Sequence, residues 1–321
     1  MELSNPGRAL LMAAVGALGA AALGACSSDD TGGQYDTVVI VQPGWTGGQA
    51  NAAVAAHILE HELNVPVRLW QLKQPMAWDA LADGSAHAVL EDWGGVPDKE
   101  ELYVGKYGAV VAAGELGVVG HIGWFVPRHF AERNPEVLHW ENLNDFAEDF
   151  RTPESGDRGR LLLGHPDDTT HDEALIDQLG LDYRAVPAGS EDALIEAVRE
   201  ADRQGTPLLT YWWQPHWLNA ETDLVEVQLP PHTKGCQDDP EQVACGYPDI
   251  PLQKYLNAGF ARDGGVAAEF LTKFRWTTEE QNEVARLIAA ERMTPAGAAE
   301  QWVHENPDRL ADWLPDGGGR G

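Results

Sequence analysis

The run Tyr211-Trp212-Trp213-Gln214-Pro215-His216-Trp217 brings together side chains that can bind a cation without carrying a charge. The face of an indole ring attracts a cation more strongly than any other uncharged side chain. His216 adds a group that can donate a hydrogen bond to an anion. The apolar residues 207–210 predict a buried strand leading into a loop, and open α/β sheets bind ligands at such strand ends. We interpret the run as part of a binding site, although core packing is the alternative for any single Trp.

Two further tryptophans follow predicted strands and lie beside glycines, Trp45 after 37–41 and Trp93 after 86–90. Trp45 opens a glycine-rich turn from a strand into a helix. The N–H groups of Trp45, Thr46 and Gly47 can therefore face an anion at the N-terminus of that helix. The ring of Trp45 is a candidate wall of the same site, and packing is the alternative.

Apolar strand patterns alternate with helical patterns along the first two thirds of the chain. The predicted strands are 37–41, 65–72, 86–90, 118–127, 160–164, 183–187 and 207–211. The predicted helices include 49–63, 78–83, 143–150, 172–179 and 191–204, the last capped by Ser190. This alternation is typical of a parallel, doubly wound α/β sheet, and it forms two units of similar size. The last third is predicted to be mainly helical, with helices over 252–260 and 266–274 and two more beginning at Thr278 and Thr294.

The N-terminus has the pattern of a secretory signal. Arg8 precedes an apolar stretch over 9–22, and Leu23-Gly24-Ala25-Cys26 follows it. The last four residues resemble a bacterial lipobox, which implies that 1–25 is a lipoprotein signal peptide and that Cys26 carries lipid. An ordinary signal peptide with an incidental cysteine is the alternative. Residues 26–35 then form a polar tether, and the glycine-rich residues 316–321 a disordered tail.

The two remaining cysteines, Cys236 and Cys245, flank a short irregular segment. A disulfide between them is expected if the protein is exported, because oxidising compartments stabilise such bonds. A metal pair that includes His232 is the less favoured alternative.

The net charge of −29 limits the partners of the chain. A surface this acidic lacks the basic face that nucleic acid requires, and an anionic membrane repels it, so a lipid anchor is the expected membrane contact. The same charge weakly favours a cationic ligand. Neither a Gly-x-Ser-x-Gly elbow nor a phosphate loop occurs, and we expect no enzyme. The distant alternative is a metal-dependent enzyme that uses His165, Asp167, Asp168 and His171.

Several segments together resemble one family of transport receptors. Residues 213–224, from Trp213-Gln214-Pro215-His216-Trp217 to Asp223-Leu224, resemble the Trp-x-Pro-His-Trp…Asp-Leu segment of the glycine betaine and choline binding proteins of ABC importers. Residues 76–84 with Trp93 resemble the first lobe of that family, and 164–175 with the cysteine loop resemble its lipoprotein branch.

This resemblance implies a type II periplasmic-binding-protein fold, in which each of two lobes is a mixed sheet flanked by helices, with a helical C-terminal segment. Lobe 1 is expected over 36–122 and 227–315, and lobe 2 over 123–226. The ligand is expected between the lobes.

The resemblance also assigns roles. Trp93 and Trp213 match aromatic walls around a quaternary ammonium group, and His216 is the candidate donor to a ligand carboxylate. The turn that holds Asp167 and Asp168 has no aromatic ring except that of a histidine. Either Asp is therefore a candidate counter-charge for the ammonium, and solvation or helix capping is the alternative. The expected ligand is glycine betaine, choline or a related compound, and another cationic or zwitterionic solute is the runner-up.

The implied partners are an ABC permease and its ATPase. The protein is expected to be a monomer on the outer face of the cytoplasmic membrane, held there by lipid, with no cofactor and no metal.

Overall fold

The computed structural model describes residues 35–166, 168 and 170–315. The predicted signal peptide, Cys26, the tether up to residue 34, Asp167 and the tail 316–321 lie outside the described residues.

Nine strands of the described residues form one continuous sheet. They are β1 Val38–Gln42, β2 Val67–Gln71, β3 Ala88–Asp92, β4 Val110–Pro127, β5 Gly159–Leu163, β6 Tyr183–Pro187, β7 Thr210–Gln214, β8 Leu224–Val227 and β9 Ile250–Asn257. Their order is β2-β1-β3-β9-β4-β7-β5-β6, and β8 pairs with β4.

Eleven α-helices of the described residues cover this sheet. They are α1 Thr46–His61, α2 Gln74–Asp83, α3 Pro97–Glu100, α4 Arg128–Arg133, α5 Asp172–Gln178, α6 Glu191–Gln204, α7 Ala258–Asp263, α8 Gly265–Lys273, α9 Thr278–Ala289, α10 Pro295–Glu305 and α11 Pro307–Trp313. Shorter helical turns lie at Glu101–Lys106 (π) and at Pro135–Leu138, Trp140–Phe146 and Trp217–Ala220 (3-10).

The two ends of the sheet repeat one pattern. β2, β1 and β3 run parallel and β9 pairs antiparallel with β3, while β6, β5 and β7 run parallel and β4 pairs antiparallel with β7. In each set, the carboxyl ends of three parallel strands meet at one edge, which is where ligands bind in open α/β sheets. The predicted α/β architecture is confirmed.

Strand β4 connects the two sets. Its first part, up to Gly120, pairs with β9, and its second part, from His121 to Pro127, pairs with β7 and β8. The predicted lobe boundary at 122/123 falls inside this strand. The residue bounds of the two lobes stay a prediction.

One predicted helix is wrong. Residues 252–260 form most of β9 and the start of α7, because β9 is inserted between β3 and β4 and pairs with both. Leu252, Tyr255 and Leu256 match helical spacing, yet they are buried in a central strand, where cross-strand pairing outweighs local preference. The predicted helix over 143–150 is also displaced, since the helical turn there is the 3-10 segment Trp140–Phe146.

Two other helices begin at the positions that the sequence predicts. Ser190 Oγ accepts a hydrogen bond from Ala193 N at 3.1 Å, as predicted for α6. Helix α9 begins at Thr278 as predicted, and it has a capping box with Thr277 as N-cap and Glu280 as its partner.

The sulfur atoms of Cys236 and Cys245 lie 1.98 Å apart, with Cα atoms 6.3 Å apart. The described part of the chain contains no helix that is long and apolar enough to cross a membrane.

Candidate functional site

A cavity of about 450 Å³ opens where the carboxyl ends of the two parallel sets face each other. Its lining comes from the ends of β1, β2, β3, β5 and β7, from Ile122 on β4 and from the first turn of α6. The lining residues are Gly44, Trp45, Gln71, Leu72, Lys73, Gln74, Trp93, Ile122, Gly164, His165, Asp168, Ser190, Glu191, Tyr211 and Trp213.

Four of these residues are aromatic. Trp45, Trp93 and Trp213, which the sequence predicts to form one site, all line this cavity. Tyr211 joins them and was not predicted. Tyr211 and Trp213 are two residues apart on β7, so they project from the same face of the strand, with ring centroids 5.7 Å apart. Alternation along a strand is the sequence signal that could have found Tyr211.

The residue between them, Trp212, does not line the cavity. It is 1% exposed, and its Nε1 donates to Asn219 Oδ1 at 2.6 Å. Trp217 is also buried, and Trp124 is fully buried and donates to Asp172 Oδ1 at 2.6 Å. These three tryptophans are thus packed inside the protein, outside the cavity lining.

A buried carboxylate fixes the two tryptophans of the first strand set. Trp45 Nε1 donates to Glu91 Oε1 at 2.5 Å, and Trp93 Nε1 donates to the same oxygen at 2.7 Å. Glu91 Oε2 accepts from Gln281 Nε2 at 2.7 Å and from Asn51 Nδ2. Burial raises the pKa of Glu91, and the four donors oppose that rise because they stabilise the charged form. Glu91 is a positioning residue that sequence reasoning missed.

Two glycines allow the tryptophans to take these positions. A Cβ on Gly48 would lie 2.1 Å from Pro43 Cγ and 2.9 Å from Trp45 Nε1. A Cβ on Gly120 would lie 2.4 Å from Cζ3 of Trp93. Both rings therefore lie against backbone that carries no side chain.

The neighbouring carboxylate, Asp92, has a different role. It accepts hydrogen bonds from Gln74 Nε2 at 3.0 Å, Trp78 Nε1 at 3.2 Å and Gly94 N at 3.0 Å. Burial raises its pKa. Asp92 thereby fixes α2 and the turn after β3, which carries Trp93.

The predicted anion donors contact a carboxylate that belongs to the protein. Thr46 N and Thr46 Oγ1 donate to Glu191 Oε2 at 2.7 and 2.8 Å, and His216 Nε2 lies 3.0 Å from Glu191 Oε1. The other ring nitrogen of His216 accepts from Leu218 N at 3.1 Å, so Nε2 carries the proton and donates to Glu191. Neither Thr46 nor His216 lines the cavity, whereas Glu191 does.

Only some of the remaining predicted site residues line the cavity. Gly47 lies against Gln281 and outside the cavity lining. Asp168 lines the cavity, and its Oδ2 accepts from His165 N at 3.0 Å. Helix α5 begins at Asp172 with His171 as N-cap, so Asp168 does not cap it. Among the residues that the structure describes, no group of three or more His, Cys, Asp or Glu side chains could hold a metal ion.

This geometry can be compared with known proteins. The family described as the substrate binding domain of ABC-type glycine betaine transport systems matches residues 36–305. The chain belongs to this family. The resemblance drawn from the tryptophan motif is thus confirmed, and so is the expectation that the protein is a solute receptor and not an enzyme.

Individual relatives agree with the family. The trimethylamine N-oxide-binding protein of Pelagibacter ubique is 27% identical over 291 residues, which cover 87% of this chain and 90% of the relative. The lactococcal OpuAC in its closed form with glycine betaine has a TM-score of 0.68 at 21% identity, over 88% of this chain and all of that chain. An ABC-transporter choline binding protein in complex with choline has a TM-score of 0.69 at 18% identity. The match covers 88% of this chain and 94% of that chain. These structures confirm the two-lobe binding-protein fold.

The receptor is therefore extracytoplasmic and serves an ABC importer for betaine- and choline-type solutes. Its cavity lies where the fold predicts a ligand, and its aromatic lining is the feature that a solute of this class would meet.

Proposed function

We propose that this receptor binds a methylated ammonium solute in a cage formed by Trp45, Trp93, Tyr211 and Trp213. The observation that carries the proposal is that four aromatic rings, two from turns that follow β1 and β3 and two from β7, line one cavity. The candidate solutes are glycine betaine, choline and trimethylamine N-oxide, the last because it names the relative from Pelagibacter ubique.

The chemistry of such solutes explains the lining. A trimethylammonium group has no N–H, so hydrogen bonds cannot recognise it, and ring faces and shape must do so. Each ring over a desolvated cation contributes on the order of 1–2 kcal/mol. Four rings could together supply much of the roughly −8 kcal/mol that a micromolar dissociation constant requires.

The hydrogen bonds at Glu91 support the same role for the first two rings. Trp45 and Trp93 both direct their only polar atom, Nε1, at Glu91. A ligand in the cavity is therefore offered the carbon framework of these rings and not a donor. The lining holds two carboxylates, Asp168 and Glu191, and one ammonium group, Lys73, so its balance of charge favours a cationic group.

The receptor would deliver its solute to an ABC permease and its ATPase. We also propose that lipid on Cys26 holds the monomeric protein at the membrane and that Cys236 and Cys245 form a disulfide in the exported chain. The proximity of the two sulfur atoms supports the second point.

The test is a calorimetric titration of the receptor from residue 27 onward against glycine betaine, choline, carnitine and trimethylamine N-oxide, with a neutral amino acid as control. Saturable binding of a methylated amine and a change in Trp fluorescence are expected, since three of the four walls are tryptophans. Binding of the amino acid alone, or of none of the amines, would contradict the proposal.

A further inference from the structure

Helix α1 has no cap of its own. Its N-cap residue is Trp45, whose side chain accepts no hydrogen bond from the helix, and its first turn contains no acidic residue. The positive end of the helix dipole and the N–H of Thr46, which has no acceptor within the helix, therefore favour an anion at this end of α1.

The anion that lies there is Glu191, 145 residues further along the chain. It is the first residue of helix α6, and its carboxylate bridges Thr46 and His216. One oxygen accepts both donors of Thr46, and the other accepts from His216. The side chains of Glu191 and His216 are only 13% and 2% exposed, so water competes little for these bonds.

Two of these three donors, the backbone N–H of Thr46 and the ring of His216, are ones that the sequence pairs with a ligand anion. With Glu191 on them, a second carboxylate cannot use the same donors. It would have to displace Glu191 or lie beside it, and two negative charges in a partly buried site repel each other strongly.

We infer that Glu191 is a specificity-determining residue, whose carboxylate replaces that of a ligand, so that the receptor selects methylated amines without a carboxylate group. Choline and trimethylamine N-oxide have this chemistry, and glycine betaine does not. The inference rests on the proposed function, because it concerns which solute enters the same aromatic cage.

The experiment is a set of titrations of the purified receptor with choline, trimethylamine N-oxide and glycine betaine. The wild type is expected to bind the better of the first two at least about tenfold more tightly than glycine betaine. Glu191→Ala frees Thr46 and His216 for a ligand carboxylate. It should move the ratio of dissociation constants at least about tenfold towards glycine betaine.

Two further variants control for charge and folding. Asp192→Asn removes one negative charge from the same helical turn, but Asp192 is 68% exposed and pairs with Arg292, so the ratio should not change. Glu191→Gln keeps the size of the side chain and removes its charge. It should shift the ratio of dissociation constants in the same direction. If circular dichroism shows that Glu191→Ala is unfolded, Glu191→Gln is the variant that tests the inference.

The outcomes separate the two claims. Failure of all three solutes to bind the wild type and the variants would overturn the proposed function. Preference of the wild type for glycine betaine would overturn the inference about Glu191 alone. An unchanged ratio in the folded Glu191 variants, or an equal shift in Asp192→Asn, would do the same.

Discussion

The cavity has two pairs of aromatic residues, and different forces hold them. The first pair, Trp45 and Trp93, lies on turns after strands, and both rings are hydrogen-bonded to the buried carboxylate of Glu91. The second pair, Tyr211 and Trp213, lies within β7, where Trp213 is opposite Ile122 of β4 and packs on Trp212 at 5.3 Å between ring centroids. The first pair therefore depends on one polar group, whereas the second depends on a strand and its packing.

The largest effect is expected from the polar group that the first pair shares. Glu91→Ala removes the acceptor of the indole N–H groups of Trp45 and Trp93 and of the Asn51 amide. The Gln281 amide keeps only its 3.3 Å hydrogen bond to Asn51 Oδ1. Each unsatisfied buried donor costs about 1–3 kcal/mol, so the free energy of unfolding should fall by about 3 kcal/mol as some donors find water. Loss of two walls should weaken binding of a methylated amine about 100-fold.

Thermal unfolding and calorimetric titration of Glu91→Ala measure these effects. Gln281→Ala is the matched control, because it removes one donor to Glu91 and keeps both tryptophan bonds. Its loss of affinity should stay below about tenfold. Equal losses in the two variants would show that Glu91 does not position the first pair.

A smaller effect is expected from the second pair, because each of its rings is held independently. Trp213→Ala removes one wall and should weaken binding at least about tenfold, which corresponds to about 1.4 kcal/mol. Its fold should persist, as the ladder between β4 and β7 does not need the side chain. Trp217→Phe, in a buried ring outside the cavity lining, is the control and should leave affinity within about twofold. Unchanged affinity in Trp213→Ala would remove Trp213 from the site.

The two pairs also differ in how far the sequence predicts them. The carboxyl ends of parallel strands meet at one edge, and this rule places Trp45, Trp93 and Trp213 together without coordinates. Strand alternation could have added Tyr211. Nothing local connects Glu91 with Gln281 or Glu191 with Thr46, because these contacts span 190 and 145 residues and depend on how the strand sets are arranged.

The dependence on long-range contacts also explains the main error in the predicted fold. The order of strands and helices could be predicted for the two parallel units, since their periodicity is local. Strand β9 could not, because its place between β3 and β4 depends on the return of the chain from the second set to the first. Contacts between residues far apart in the chain decide both the position of β9 and the hydrogen bonds of Glu91 and Glu191, so local sequence patterns predict neither.

A single methyl group tests the close packing of the first pair. Gly120→Ala places a Cβ 2.4 Å from the Trp93 ring, which must then move away. Because the bond to Glu91 is short and directional, a displaced ring should cost about fivefold in affinity, measured by titration. Gly105→Ala, where nothing lies within 4 Å of the added Cβ, should leave affinity unchanged. A wild-type affinity for Gly120→Ala would mean that the Trp93 ring is not a wall.

The smallest effect concerns the junction between the two strand sets. His121, where β4 changes partners, lies 2.8 Å from Glu226 and 2.8 Å from Asp249. The hydrogen bond to Glu226 is the main cause that raises the pKa of His121. The negative charge of Glu226 and the hydrogen bond and charge of Asp249 add to it, despite partial burial. A histidine whose pKa is higher in the folded state stabilises the fold below its unfolded pKa of about 6.5, and that contribution is lost as the pH rises through the folded value.

His121→Gln should therefore lower the free energy of unfolding more at pH 5.5 than at pH 9. All three side chains are partly exposed, at 27%, 43% and 76%, so the difference should be no more than about 1 kcal/mol. Urea unfolding of both proteins at the two pH values measures it. His139→Gln, at an exposed position, is the control for the loss of a histidine ring. A larger loss at pH 9 than at pH 5.5 would mean that His121 acts through packing, and that the two strand sets are joined by β4 without an ion pair.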